Sequence, residues 1–143
     1  MRSTKVEIPF VDYGSDVPVV KVRLKDKEVY CIIDTGSEIT LFDKSLKDSL
    51  TIQEVQKMSL VGVSGNNAAM TSTVSTAVGI PMGKNKLFVA NLSGYLNDLS
   101  IVNNHFAGAL DTDVRISILF GSDMFNLFNC KIDFEKRIVT FHL

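Results

Sequence analysis

The sequence lacks the features by which several common classes of protein are recognised. Its 143 residues contain no run of about 18 or more apolar residues, the length that a membrane-spanning helix needs. Residues 1–5 lack the apolar core of a secretory signal, so we expect a cytoplasmic protein by default unless a signal was removed. The formal net charge is only −1 and the lysines form no basic stripe, so nucleic acid is not an expected partner.

Signatures of metal and phosphate sites are missing as well. The chain has neither the cysteine and histidine spacing of a zinc site nor a phosphate-binding loop. Asp111 and Asp113 stand in a polar stretch, and we interpret them as solvated acids rather than cation ligands. Residues 62–65 read Gly-Val-Ser-Gly, one residue short of the serine hydrolase pattern G-x-S-x-G. We therefore expect no metal and no organic cofactor.

Cysteine is also scarce. Cys31 and Cys130 are the only two, and each lies within an apolar segment. We interpret both as buried, reduced thiols, with a disulfide as the alternative.

What the sequence has is an apolar pattern with a period of two. It is 45% hydrophobic and 22% charged, enough to form a core, and we expect one domain over residues 1–143. Residues 17–24 and 28–33 flank a polar Lys-Asp-Lys turn and predict a β-hairpin, and residues 58–63 and 70–80 predict a second, longer hairpin. The pattern is typical of an all-β protein.

Two segments depart from this period. Phe42, Leu46 and Leu50 are four residues apart, and Asp43 is a candidate cap, so they predict a short amphipathic helix. Ser122 is a candidate cap for a second helix over residues 123–128. Residues 130–134 and 137–141 then predict a final pair of strands. Residues 97–113 form the least regular stretch.

The strongest functional motif follows the strand at residues 29–33. That apolar strand ends on an acid, and residues 34–37 read Asp-Thr-Gly-Ser. Aspartic proteases need a carboxylate at the mouth of a rigid strand, a hydroxyl to lock its loop, and a glycine where a side chain would block the substrate. A second motif, Leu-Phe-Gly at residues 119–121, comes near the other end of the chain.

This layout resembles the retropepsin-like aspartyl proteases over residues 17–141, nearly the whole chain. In that family an apolar strand leads into Asp-Thr-Gly, a glycine-containing flap hairpin follows, and an apolar-apolar-glycine strand precedes a short helix and a last strand pair. The resemblance implies a closed, barrel-like all-β fold with one or two short helices. It also implies a homodimer that cleaves extended peptides.

The resemblance assigns roles to the loop residues. Asp34 would be catalytic, Thr35 would hydrogen-bond across the dimer axis, and Gly36 would let the substrate backbone pass. We expect Ser37 to bond within the loop, with the outer oxygen of Asp34 as a candidate acceptor. Glu38 stands where retroviral members carry an acid that contacts substrate or an intersubunit arginine, and a solvated side chain is the alternative.

The resemblance also assigns substrate contacts elsewhere. Val63, Ser64 and Gly65 would form the tip of the flap, which closes over the peptide and donates backbone N–H groups. Gly121 follows the later strand, where Ser122 replaces the arginine that retroviral members often have. The flap has no aromatic side chain like that of pepsin-like relatives.

The sequence therefore predicts an aspartic endopeptidase in which two carboxylates share one proton. Only one Asp-Thr-Gly is present, so a symmetric dimer would supply the second carboxylate. Two alternatives stay open. The domain could be a peptide-binding or assembly module without turnover, or one half of an enzyme completed by another domain of a longer chain.

Overall fold

The computed structural model describes residues 4–12, 17–60, 67–81, 86–105 and 114–142, and the side chains of these residues except 53–71 and 105. The strands are β1 Lys5–Pro9, β2 Val19–Leu24, β3 Lys27–Ile33, β4 Leu41–Asp43, β5 Thr51–Leu60, β6 Asn67–Pro81, β7 Leu87–Asn97, β8 Ile116–Phe120, β9 Lys131–Asp133 and β10 Ile138–His142. A 3-10 helix covers Lys44–Ser49, and the α-helices are α1 Ser100–His105 and α2 Ser122–Leu127.

Six of the described strands close into a mixed barrel, in the order β2-β3-β8-β4-β7-β6. The pairing of Arg23 in β2 with Gly79 in β6 completes the ring. The β3–β8 and β4–β7 pairs are parallel, whereas β2–β3 and β6–β7 are antiparallel hairpins. Strand β5 extends β6, and a separate sheet of β1, β10 and β9 lies beside the barrel. The closed all-β fold predicted from the sequence is confirmed.

Strands β3 and β8 are buried on both faces. Cys31 and Ile33 of β3 belong to the main core, whereas Ile32 belongs to a second core, in which it packs with Leu99 and Val102. Strand β8 divides in a similar way, since Ile118 and Phe120 belong to the main core and Ile116 and Leu119 to the second. Parallel strands that are covered on both sides read as continuous apolar runs, which is the pattern of residues 29–33 and 116–120. The strand before Asp34 is therefore fixed from both sides.

The predicted hairpin of β2 and β3 is confirmed, with Leu24 opposite Lys27 across the turn. The long hairpin is confirmed too, but its strands extend further than predicted, to Thr51 and Pro81. The final pair of strands is also present as β9 and β10.

The helical predictions need two corrections. Phe42 lies in β4, and only Leu46 of the three spaced apolar residues lies in the helix, which is a 3-10 helix and not an amphipathic α-helix. Asp43 caps it as predicted, because its carboxylate accepts a hydrogen bond from Ser45 N at 3.1 Å. In α2 the cap is Gly121, not Ser122, which is already the first helical residue. Four further elements, β1, β4, β7 and α1, were not predicted.

Cys31 and Cys130 are free and buried in the main core, so the interpretation as thiols is confirmed. Burial raises the pKa of the Cys130 thiol to about 12, and burial together with nearby Cys130 raises the pKa of Cys31 well above its usual range. Neither thiol therefore ionises in the folded protein near neutral pH.

We expect the folded protein at pH 8 to resist a thiol reagent such as Ellman's reagent, and the unfolded protein to react at both thiols. A free thiol ionises near pH 8.5, so the unfolded chain loses these protons first. The thiols should not affect the unfolding free energy below about pH 8.5. Above that pH the unfolding free energy should fall as the pH rises towards the pKa values that the thiols have in the folded protein. Denaturant titrations at pH 7 and pH 10 measure this change. Rapid labelling of the native protein at pH 8 would contradict the buried placement.

Candidate active site

Asp34 follows directly after β3, where the chain leaves the barrel sheet. Its backbone N–H donates to Phe120 O at 2.9 Å, which carries the β3–β8 pairing one residue beyond the strand. The Asp34 side chain is half-buried. A carboxylate is thus fixed at the end of a strand that is packed on both faces, while part of it stays accessible to solvent.

A tight turn after Asp34 orients its carboxylate. Ser37 N donates to Asp34 O at 3.1 Å, and Gly36 N donates to Asp34 Oδ1 at 3.0 Å. A side chain at Gly36 would place its Cβ 3.2 Å from that same oxygen, closer than most such contacts. Thr35 and Gly36 are both exposed. The turn therefore presents a hydroxyl and a bare backbone next to the carboxylate.

Ser37 bonds within the loop, but its hydroxyl donates to Ile39 O at 2.8 Å and not to the Asp34 carboxylate. Glu38 is exposed, and its carboxylate forms no ion pair among the described residues. Val63, Ser64 and Gly65 lie outside the described residues, so the predicted flap tip stays a prediction.

Gly121 is buried against the Asp34 loop. A Cβ on Gly121 would lie 2.2 Å from Ile39 O and 2.9 Å from Ser37 O. The next residue, Ser122, donates its N–H to Ser37 O at 2.7 Å. Only glycine permits this approach, which explains why the Leu-Phe-Gly motif accompanies the Asp-Thr-Gly motif.

Sequence reasoning missed a second connection between the same two segments. Thr40, which is fully buried, donates its hydroxyl to Asp123 Oδ1 at 2.7 Å and its N–H to Asp123 Oδ2 at 3.2 Å. The Thr40 hydroxyl also accepts from Gly121 N at 3.0 Å. Thr40 and Asp123 are 83 positions apart, and no local sequence pattern predicts a contact over that separation.

The described residues hold no cluster of acids, histidines and cysteines that fits a metal ion. None of the helices in the same part of the chain is long and apolar enough to cross a membrane.

A closed barrel with an Asp-Thr-Gly turn at the end of an inner strand defines a retropepsin-like fold. The profile of a family described as aspartyl protease matches residues 20–124. The chain therefore belongs to the aspartyl protease family.

Solved structures show the same fold. A retropepsin-like aspartic protease from Rickettsia conorii is similar, with 14% sequence identity and a TM-score of 0.50. The match covers 99% of this chain and 90% of the Rickettsia chain. The retroviral protease-like domain of Ddi1 from Leishmania major is also similar, with 11% sequence identity and a TM-score of 0.51. That match covers 93% of this chain and 92% of the Leishmania chain. No significant match was found among curated proteins.

Proposed function

We propose that this protein is an aspartic endopeptidase that hydrolyses extended peptides with a pair of Asp34 carboxylates, one from each chain of a homodimer. The observation that carries the proposal is the placement of Asp34. Its carboxylate lies at the end of a doubly buried strand, bonded by Gly36 N–H through one oxygen and half-exposed. Thr35 and Gly36 are exposed beside it.

The chemistry requires two carboxylates. Attack by water on an amide needs a base to take a proton from the water and an acid to give one to the carbonyl oxygen. Two carboxylates that share one proton can do both. The chain has a single Asp-Thr-Gly, since Asp111-Thr112 is followed by Asp113 and lacks the glycine. An isologous dimer brings two copies of Asp34 to its axis.

The remaining residues receive roles in the same scheme. Thr35, with one donor and two acceptor positions on its hydroxyl, would form reciprocal hydrogen bonds across the axis. Gly36 would let the peptide backbone approach the carboxylates. Ser37 and Glu38 would contact the substrate from the rim of the loop.

Other substrate contacts would come from later in the chain. Val63, Ser64 and Gly65 would cover the peptide as a flap and pair its backbone groups. Gly121 would act indirectly, because it is packed against the loop. The scheme uses no cofactor, and its partners are a second copy of the chain and a peptide or protein substrate.

The stoichiometry of inhibitor binding tests whether the active site is formed by two chains. A statine-type peptide carries a hydroxyl in place of the scissile carbonyl and should bind between two Asp34 side chains. We expect calorimetry to give one inhibitor for every two chains, and specific activity to fall on dilution as the dimer dissociates. Sedimentation over the same concentrations follows the assembly directly.

Thr35 provides matched variants for this experiment. T35A removes the hydroxyl and should shift the loss of activity to higher protein concentration, whereas T35S keeps the hydroxyl and should resemble the wild type. One inhibitor per chain, in a monomer whose specific activity is constant on dilution, would refute the symmetric dimer. Inhibitor binding without any hydrolysis would favour the peptide-binding module.

A further inference from the structure

Asp123 holds the far end of the loop that begins at Asp34. Both of its carboxylate oxygens are used. Oδ2 accepts from Thr40 N at 3.2 Å, and Oδ1 accepts from the Thr40 hydroxyl and from Met124 N, each at 2.7 Å. One side chain therefore takes up both polar hydrogens of Thr40.

Thr40 is a junction between three parts of the barrel. Its carbonyl accepts from Tyr95 N of β7 at 3.0 Å, and its hydroxyl accepts from Gly121 N at the end of β8. A Cβ at Gly94 of β7 would lie 2.3 Å from Thr40 O, so β7 also packs tightly here. Thr40 is fully buried, and each of its polar groups has a partner within this junction.

The loop from Asp34 to Thr40 is thus tied to the segment 120–123 along its length. Asp34 N bonds to Phe120 O at the start, and Ser37 O accepts from Ser122 N in the middle. Asp123 supplies the last tie. Gly36 N donates to Asp34 Oδ1 within the same loop, so we expect a displacement of the loop's far end to weaken that bond.

We propose that Asp123 is a positioning residue for the Asp34 carboxylate, acting through Thr40 and the loop between them. The part that concerns turnover rests on the proposed peptidase activity. A carboxylate suits this position because it offers acceptors to both an N–H and an O–H, whereas the amide of asparagine would turn a donor towards one of them. Glu38 forms no ion pair among the described residues, so the charged side chain that anchors the loop there is Asp123, through its bonds with Thr40.

The test uses two kinds of variant. D123N keeps the size of the side chain but removes one acceptor. T40V removes the hydroxyl at similar volume, and T40S keeps the hydroxyl and serves as the conservative rescue. D133N is the matched control, because Asp133 also accepts a backbone hydrogen bond, from Lys136 N at 2.9 Å, but in the distant β9–β10 turn.

We expect D123N and T40V to lower kcat by roughly 10- to 100-fold with KM within about threefold of wild type, as for a misplaced catalytic group. T40S and D133N should keep kcat within about threefold. Amide hydrogen exchange gives a readout that needs no activity. The amides of Asp34, Gly121 and Ser122 should exchange roughly tenfold faster in D123N and T40V, because one buried acceptor is lost. Those of β10 should not change.

The outcomes separate the two proposals. Faster local exchange in D123N and T40V, together with a wild-type protein that shows no peptidase activity, would support the positioning role and contradict the proposed function. Wild-type exchange at the three amides in both D123N and T40V would overturn the positioning role, whatever the activity. So would exchange that rises equally in β10, with kcat per folded protein unchanged, since Asp123 would then serve stability alone.

Discussion

Replacement of Asp34 by asparagine is expected to abolish peptide hydrolysis while leaving the fold intact. The amide has nearly the shape of the carboxylate, and its oxygen can still accept the hydrogen bond from Gly36 N. It cannot share or transfer the catalytic proton, so we expect a loss in kcat/KM of ~10³-fold or more. Peptide cleavage should be measured together with circular dichroism and sedimentation, which should match the wild type.

A matched substitution controls for the change in charge. D48N alters an exposed acid in the 3-10 helix and should leave cleavage unchanged. Mixed dimers provide a sharper comparison, because a wild-type chain paired with a D34N chain has only one carboxylate at the axis and should be as inactive as the pure variant. Cleavage that persists in purified D34N protein, free of contaminating protease, would move the chemistry away from Asp34.

The position of Asp34 was predictable because its signals are local. An apolar run that is buried on both faces must end where an acid and a glycine turn follow, and β3 ends there at Ile33. The β2–β3 hairpin was equally clear, since its polar turn stands between two alternating runs. The order of these elements along the chain led to the family resemblance. The structure and the family match both agree with that resemblance.

Strand β7 had no comparable signal. Its inward positions include Ala90 and Gly94, and its outward positions include the apolar Val89, which is 61% exposed. A glycine fills the inward position opposite Thr40 because a Cβ there would lie 2.3 Å from Thr40 O. Because the backbones pack closely here, the position holds glycine. The sequence therefore lacks the apolar residue that would have indicated a strand. Helix α1 has six residues, too few to establish a helical period.

The prediction of a helix after the Asp34 loop failed for a different reason. The spacing of Phe42, Leu46 and Leu50 correctly selected residues that face the core, since all three pack into it. It could not show that Phe42 belongs to a strand, because β4 is only three residues long and pairs with β7 and β8 from distant parts of the chain. The tie between Thr40 and Asp123 escaped for the same reason of distance along the chain.

Gly121→Ala should be the most damaging single methyl addition in the loop's support. The new Cβ would lie 2.2 Å from Ile39 O and 2.5 Å from Ile39 C, both backbone atoms that no change of rotamer can move away. Either the loop or the start of α2 must shift, and the bonds from Gly121 N to Thr40 and from Ser122 N to Ser37 would be strained or lost. We expect a cost of about 3 kcal/mol or more in unfolding free energy.

Gly79→Ala is the matched control for this substitution. Gly79 also lies in a tight place, but the nearest atom to its Cβ would be the end of the Leu87 side chain at 3.1 Å, which can rotate aside. Thermal melts should show a fall of roughly 6–12 °C for G121A and little change for G79A. In the G121A protein that stays folded, cleavage should be reduced further than the folded fraction explains, because the displaced loop carries Asp34. Equal melting temperatures for the two variants would mean that the loop tolerates a side chain at Gly121, and that the close approach of the two motifs does not fix the carboxylate.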